Sequence, residues 1–254
     1  MTAMFPGGVA VTDLEVYDWE AGDGCRGGSP HVHTASSEGY VVTGGAGAVQ
    51  TLSAAGFEEH ALAPGEVVWF TPGVVHRLVN GGDLHLLVVM ANAGLPEAGD
   101  AVLTFPADVL DDPDAYAAAA TLPAGDGREV AARARRDLAL EGFAELRAGG
   151  ADALAAFHAR AARLVQPRVA PWRAQWEVTV GAETARVAEQ LSALAAGDPG
   201  LMSLASLSRA EPTSGDRTLG MCGRLKTWRW PASALGAVDA ETPAALADRA
   251  EGRT

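Results

Sequence analysis

The stretch 30–45, PHVHTASSEGYVVTGG, holds two imidazoles and a carboxylate, and a second stretch, 65–80, GEVVWFTPGVVHRLVN, adds a third imidazole. His31 and His33 stand at i and i+2, so on an extended strand both side chains leave the same face and converge on one point. Glu38 follows His33 across Ser36 and Ser37, residue types that favour a bend, so the next strand can return its carboxylate to that point. His76 has to arrive on a different strand. Three neutral imidazoles and one carboxylate suit Fe(II), Mn(II), Ni(II), Co(II) or Zn(II) and leave positions open on a six-coordinate ion. That is the donor set of a catalytic centre rather than of a closed structural one. An isolated His-x-His pair is more often a strand-end feature bonded to water or backbone. Here the following Glu, the Gly-rich stretch and a Pro-Gly-x-x-His segment weigh against that reading.

These residues resemble the two motifs of the cupin superfamily. The first, G-x5-H-x-H-x(3,4)-E-x6-G, is matched by His31, His33, Glu38 and Gly45, with Cys25 where the leading Gly is expected. The second, G-x5-P-x-G-x2-H-x3-N, is matched by Gly65, Gly73, His76 and Asn80, with Thr71 at the usual Pro and Pro72 displaced by one. Neither departure removes a ligand. The resemblance spans roughly residues 8–95. It implies a mainly β fold, a cupin-type antiparallel β-barrel or jelly roll, holding one divalent transition metal (Fe, Mn, Zn or Ni) among His31, His33, Glu38 and His76. The four-ligand set resembles that of cupin dioxygenases and also that of metal-dependent isomerases and decarboxylases. Thiol dioxygenases of the superfamily lack the carboxylate, so Glu38 counts against that branch. The resemblance also implies a homodimer.

The elements that must position these residues read as follows. Residues 8–19 alternate like a strand, and a Gly-rich loop at 22–28 leads to the ligand segment. Cys25 in that loop is read as a small loop residue. Glu38, Tyr40 and Val42 share a strand face, which points Tyr40 into the metal-bearing interior, where its phenol can donate a proton or a hydrogen bond. Gly44, Gly45 and Gly47 are read as a tight turn, and 48–62 as a hairpin with Ala55 and Gly56 at its tip. Val67 to Phe70 reads as a core strand, with the direction of Trp69 left open. The turn at Thr71-Pro72-Gly73 then presents His76 and Leu78 to the interior and Arg77 outward, towards a surface ion pair. Asn80 is expected to cap a turn with Gly81 and Gly82 before a further strand at 84–90. His60 and His158 have no partner at ligand spacing; His60 is read as a surface or strand-edge residue, and His85 and His158 as structural.

The organisation expected is a β domain at 1–95, a connecting excursion at 96–127 in which Phe105 and Val109 are placed to cover a sheet, and a largely α-helical C-terminal region at 128–254 with possible terminal strands. Helices are expected from Arg128 to a stop at Gly149–Gly150, from Ala151 to Val165, and over 182–198. The segment 201–230 suggests two strands around EPTSGDRT, with Trp228 and Trp230 as packing residues. No histidine follows His158, which excludes a second three-His site there.

Composition narrows the partners. With 254 residues and 48% hydrophobic content the chain can build one large domain or two small ones. A formal net charge of -13 opposes binding to nucleic acid or an anionic membrane. Two cysteines are too few for a disulfide framework, and the start of the chain lacks a basic segment followed by an apolar run, so a cytoplasmic location is expected. The functional expectation is a mononuclear metal enzyme, a dioxygenase first, acting on a small organic substrate. A non-catalytic sugar or metabolite binding module stands as the alternative from another class.

Overall fold

The computed structural model describes residues 4–229. Its spine is an antiparallel ladder between two 16-residue strands, β3 (Glu38–Ser53) and β6 (Val75–Met90), paired from Glu38↔Met90 to Leu52↔Val75. Around Gly44, Gly45 and Gly47 the register shifts, and opposite them lie Gly81 and Gly82. The expected turns at both glycine clusters are therefore bulges inside continuous strands. A bulge adds backbone to one strand and increases local bend, so the ladder folds over without ending. Gly45 has φ +71°, and a Cβ there would lie 2.0 Å from the Asp83 carbonyl oxygen, so no other residue fits this bend. Asn80 does cap locally: its Oδ1 accepts from the Gly82 and Leu84 amides while its Nδ2 donates to the Val16 carbonyl.

The bent ladder serves two half-sheets. At one end β4 (Gly56–Leu62) pairs with β3, and β2 (His31–His33) joins β6 through His31↔His76. β7 (Ala101–Leu103) then pairs with β2. At the other end β5 (Val67–Phe70) pairs with β3, and β1 (Ala10–Val16) pairs with β6. The result is a jelly-roll sandwich. It is not the closed barrel expected from the motifs, because β4, β5 and β7 each have a single paired neighbour among the described residues. The hairpin tip is Ala54–Ala55, one residue earlier than expected, with Ser53 opposite Gly56.

Two apolar layers hold this arrangement. Inside the sandwich lie Leu14, Tyr40, Val42, Leu62, Leu78 and Leu86, all at most 2% exposed. The outer face of the first half-sheet, including Val32, Val75, Val102 and Phe105, is covered by helical residues such as Phe143, Phe157 and Ala161. These come from α3 (Arg128–Val165), which follows the short helices α1 (Ala107–Leu110) and α2 (Pro113–Ala120). The two helices expected on either side of Gly149–Gly150 are both there: Gly150 leaves the helical conformation, at φ 64° and ψ -146°, and divides α3 into two segments. Within α3, a Cβ on Gly142 would stand 2.1 Å from the Thr104 carbonyl oxygen, so this glycine sets how closely the helix lies on the chain after β7.

α4 (Val169–Trp176) and α5 (Ala182–Ala195) continue the helical half. The chain then returns through β8 (Glu211–Pro212), β9 (Thr218–Leu219), β10 (Gly223–Lys226) and β11 (Trp228–Arg229). β10 pairs with β1, so the sandwich takes strands from both sides of the helical region, at 101–103 and 223–226. Trp228 pairs opposite Pro212 in the separate β11–β8 ribbon, and Trp230 lies outside the described residues.

Two local expectations need correction. Arg77 does lie on the opposite face from His76, but it is 1% exposed, because the loop 21–28 covers it. It forms an ion pair with Asp23 and donates to the Gly28 carbonyl. β5 is only half a core strand: Val68 and Phe70 pack inward while Val67 and Trp69 are 57% and 72% exposed. His60 is exposed beside Glu58, as a surface or strand-edge residue would be, and His85 is exposed beside Glu15. No helix among the described residues is long and apolar enough to cross a membrane.

Candidate metal centre

β2 is short and buried at every residue because it is inserted between β6 and β7, with the outer-face layer behind it. Alternation sends His31 and His33 inward and Val32 into the layer beneath α3. The register His31↔His76 brings the third imidazole directly across, and the first residue of β3 supplies Glu38. One donor atom from each of His31, His33, Glu38 and His76 lies within 4.8 Å of the others, and all four residues are buried.

The hydrogen bonds around the imidazoles orient them. His31 Nδ1 faces the Ser29 carbonyl at 3.0 Å, and His76 Nδ1 faces the Val74 carbonyl at 3.1 Å. A carbonyl only accepts, so each Nδ1 carries a proton and each ring turns its Nε2 inward. His33 Nδ1 lies 2.7 Å from Asp100 Oδ1, so this ring too turns its Nε2 to the centre. Three Nε2 atoms therefore meet one carboxylate. His76 Nε2 is 3.1 Å from His31 Nε2 and 2.9 Å from Glu38 Oε2, and His33 Nε2 is 3.3 Å from that same oxygen. Glu38 Oε2 nevertheless makes no hydrogen bond of ordinary geometry. Lone pairs this close in a dry site repel unless a positive charge sits among them. The donor set thus fits a metal cation, in the arrangement where the outer nitrogen of each ligand is held by a carbonyl or carboxylate.

The electrostatics agree. Burial drives the His31 pKa well below the ordinary imidazole value, with His76 and His33 adding to the effect, so this ring is neutral. Burial would lower His33 too, but its bonds to Asp100 and Glu38 outweigh that and push it up to about 10. Burial raises Glu38, yet the imidazoles of His76 and His33 beside it, at 2.9 and 3.3 Å, hold it well below the carboxylate range. A cation would take over the role that a proton plays on His33.

Residues 17–91 match the family model for the cupin domain. This part of the chain is a cupin domain. The histidine and glutamate positions read from the sequence all lie within the matched residues, and the structure gathers all four. Solved structures overlay about a third of the chain. A Klebsiella pneumoniae protein with a double-stranded β-helix domain is 18% identical over 35% of this chain and 70% of its own, with a TM-score of 0.29. Streptomyces Pac13, a nucleoside dehydratase, is 17% identical over 39% of this chain and 70% of its own, with a TM-score of 0.30. An oxalate oxidase in complex with glycolate is 23% identical over 34% of this chain and 51% of its own, with a TM-score of 0.24. No curated protein sequence matches this chain.

Tyr40 sits fully buried on the cupin interior, on the same strand face as Glu38, with its ring edge-on to Phe70 at 5.6 Å between centroids. Its hydroxyl has no hydrogen-bond partner of ordinary geometry, and burial reinforced by Glu38 raises its pKa well above the phenol value. The phenol is therefore a neutral donor in reserve. Cys25 is a half-buried free thiol in the covering loop.

Two residues escaped the sequence reading. Asp100 is fully buried, and its carboxylate bonds His33 Nδ1 with one oxygen and accepts the Ser36 amide with the other. Cys222 enters the interior from the far end of the chain, where burial first and Glu38 second raise its thiol well above its ordinary pKa. Neither carries a local signal, since each reaches the cupin interior through strand pairing over long separations. An Asp immediately before a short apolar run was the one available hint for Asp100.

Proposed function

We propose that this cupin is a mononuclear metal-dependent enzyme acting on a small organic substrate, with oxygenation of that substrate as the leading reaction. The observation that carries the reading is the convergence of three inward-turned Nε2 atoms on an orphaned, buried Glu38 oxygen. His31, His33, Glu38 and His76 would hold the ion. When bound, a divalent transition ion supplies Lewis acidity, and a redox-active one such as iron supplies electron transfer as well. The chain's own residues do the rest: Ser29, Val74 and Asp100 fix the rings, the surrounding apolar interior excludes water, and Tyr40 holds a proton at its hydroxyl.

Tyr40 also favours a second reading, a Lewis-acid isomerase or decarboxylase, because a neutral buried phenol can hand a proton to a substrate carbanion. The experiment is elemental analysis of untagged protein beside a His31→Ala/His76→Ala variant, followed by a substrate panel on the loaded protein. About one metal per chain, lost in the variant, is the expected result. Iron with substrate-dependent oxygen uptake supports the oxygenase; turnover with zinc or manganese but without oxygen uptake moves the reading to the second. No metal in a folded wild-type protein, even after titration, would overturn both. Tight binding of one compound without turnover would make this a metabolite-binding module.

A further inference from the structure

Behind β2, on the face opposite the metal ligands, lies a cavity of about 590 Å³ between the cupin outer face and helices α3 and α4. Its size falls within the range of pockets that hold drug-sized ligands, ~300–1,000 Å³. Its floor is apolar: Val32, Leu95, Ala161, Val165 and Trp172 are each at most 7% exposed. Trp176 stands at the rim, 39% exposed.

The polar groups in the wall divide into two kinds. Most are already committed. His158 Nε2 is 2.8 Å from the Gly73 carbonyl, and Trp172 Nε1 donates to the Ala98 carbonyl. Trp176 Nε1 donates to Asn92 Oδ1, and Thr34 Oγ1 donates to the Asp100 carbonyl. The guanidinium of Arg173 is different: it stands exposed at the rim with no ion pair, hydrogen bond or ring contact among the described residues, and the exposed Gln166 amide is likewise unpaired there. An arginine offers a planar fork matched to a carboxylate, and an amide beside it can add a further donor. In a chain of net charge -13, the single arginine among these lining residues gives the cavity a sign opposite to that of the molecule.

We propose that this cavity is a second small-molecule site, separate from the metal centre, that takes an amphipathic organic acid: an alkyl or aryl body against Trp172 and Val165, with its carboxylate on Arg173. One unpaired cation over apolar walls suits a single carboxylate better than a phosphate, which carries more charge and needs more donors. The site stands independently of the reaction at the metal. It does share structure with it, because the Gly73 amide donates to the His33 carbonyl while the Gly73 carbonyl meets His158.

The test uses the full chain and two probes, decanoate and 4-phenylbutyrate, with decanol as the uncharged control, followed by calorimetry and by the fluorescence of Trp172 and Trp176. Two variants accompany it: Arg173→Met, which removes the charge and keeps the bulk, and Ala162→Phe, which fills the mouth from an exposed position. The expected result is saturable one-site binding of a carboxylate probe, about tenfold or more weaker in Arg173→Met, lost in Ala162→Phe, and unchanged in His31→Ala/His76→Ala. Absence of saturable binding for both carboxylates overturns the proposal, as does equal binding of decanol or indifference to Arg173→Met. Binding lost in the His31→Ala/His76→Ala variant but retained in Ala162→Phe also overturns it, since the acid then sits at the metal.

Discussion

The proton on His33 is the residue-scale feature with the clearest consequence. In the folded, metal-free protein its pKa is pushed up to about 10, so near neutrality a metal must displace one proton from it. Affinity should therefore rise with pH, by on the order of tenfold per unit well below that value, and chelator-competition titrations across neutral pH measure the slope. A flat profile would mean that His33 is already neutral. The same raised pKa stabilises the metal-free fold fully below the free-imidazole value, and that contribution is lost as pH climbs towards about 10. Glu38 acts in the other direction: its lowered pKa gives stability above the ordinary carboxylate value that disappears as pH falls through the folded value. Asp100 is the support behind His33. Asp100→Asn keeps the shape but turns an amide group towards either the Ser36 N–H or His33 Nδ1, both of which need an acceptor. Metal affinity is expected to drop by roughly 10- to 100-fold with the circular dichroism spectrum unchanged. Wild-type affinity in that variant would show that His33 needs no carboxylate to orient it.

At the scale of elements, two glycines separate the cupin frame from its helical cover. Gly45 lets the β3–β6 ladder bend, and Ala there would combine a positive φ with a Cβ placed against the Asp83 carbonyl. Because the ladder carries Glu38 and His76 at its two ends, Gly45→Ala is expected to reduce both thermal stability and metal content. Gly142 acts on the contact between α3 and the backbone at Thr104 and Phe105. Gly142→Ala should cost about 1–3 kcal/mol by overpacking while leaving one metal per chain. Melting curves and elemental analysis on the two variants distinguish these roles, and equal metal loss in both would show that the helical cover also sets the site.

At the scale of the molecule, the chain closes on itself. β10 pairs with β1, which in turn pairs with the part of β6 that continues from His76, and Cys222 just before β10 packs in the same interior as Tyr40. Removing residues from 210 onward would strip a strand from β1 and open that interior to water. The truncated chain is expected to melt at lower temperature and to associate through the bared edge of β1, which light scattering would detect. A truncated chain that stays monodisperse with unchanged melting would show that the returning strands add nothing to the cupin fold.

The His31 and His33 pair of the candidate site, the inward direction of Tyr40 and the helical character beyond residue 128 were legible in the sequence because each rests on local periodicity. On a strand, i and i+2 share a face whatever surrounds it, which is enough to pair His31 with His33 and Glu38 with Tyr40. Local pattern failed wherever a longer-range partner decides. Glycine clusters read equally well as turns or as bulges, and only the pairing of β3 with β6 chose bulges and an open sandwich over a closed barrel. Alternation placed Arg77 correctly on the far face, but burial depended on whether the loop 21–28 returned to cover it, with Asp23 54 residues away in sequence. Asp100 and Cys222 joined the interior through ladders that no local window contains. Side-chain direction is a property of a few neighbouring residues, whereas a hydrogen-bond partner or a covering surface belongs to the folded chain as a whole.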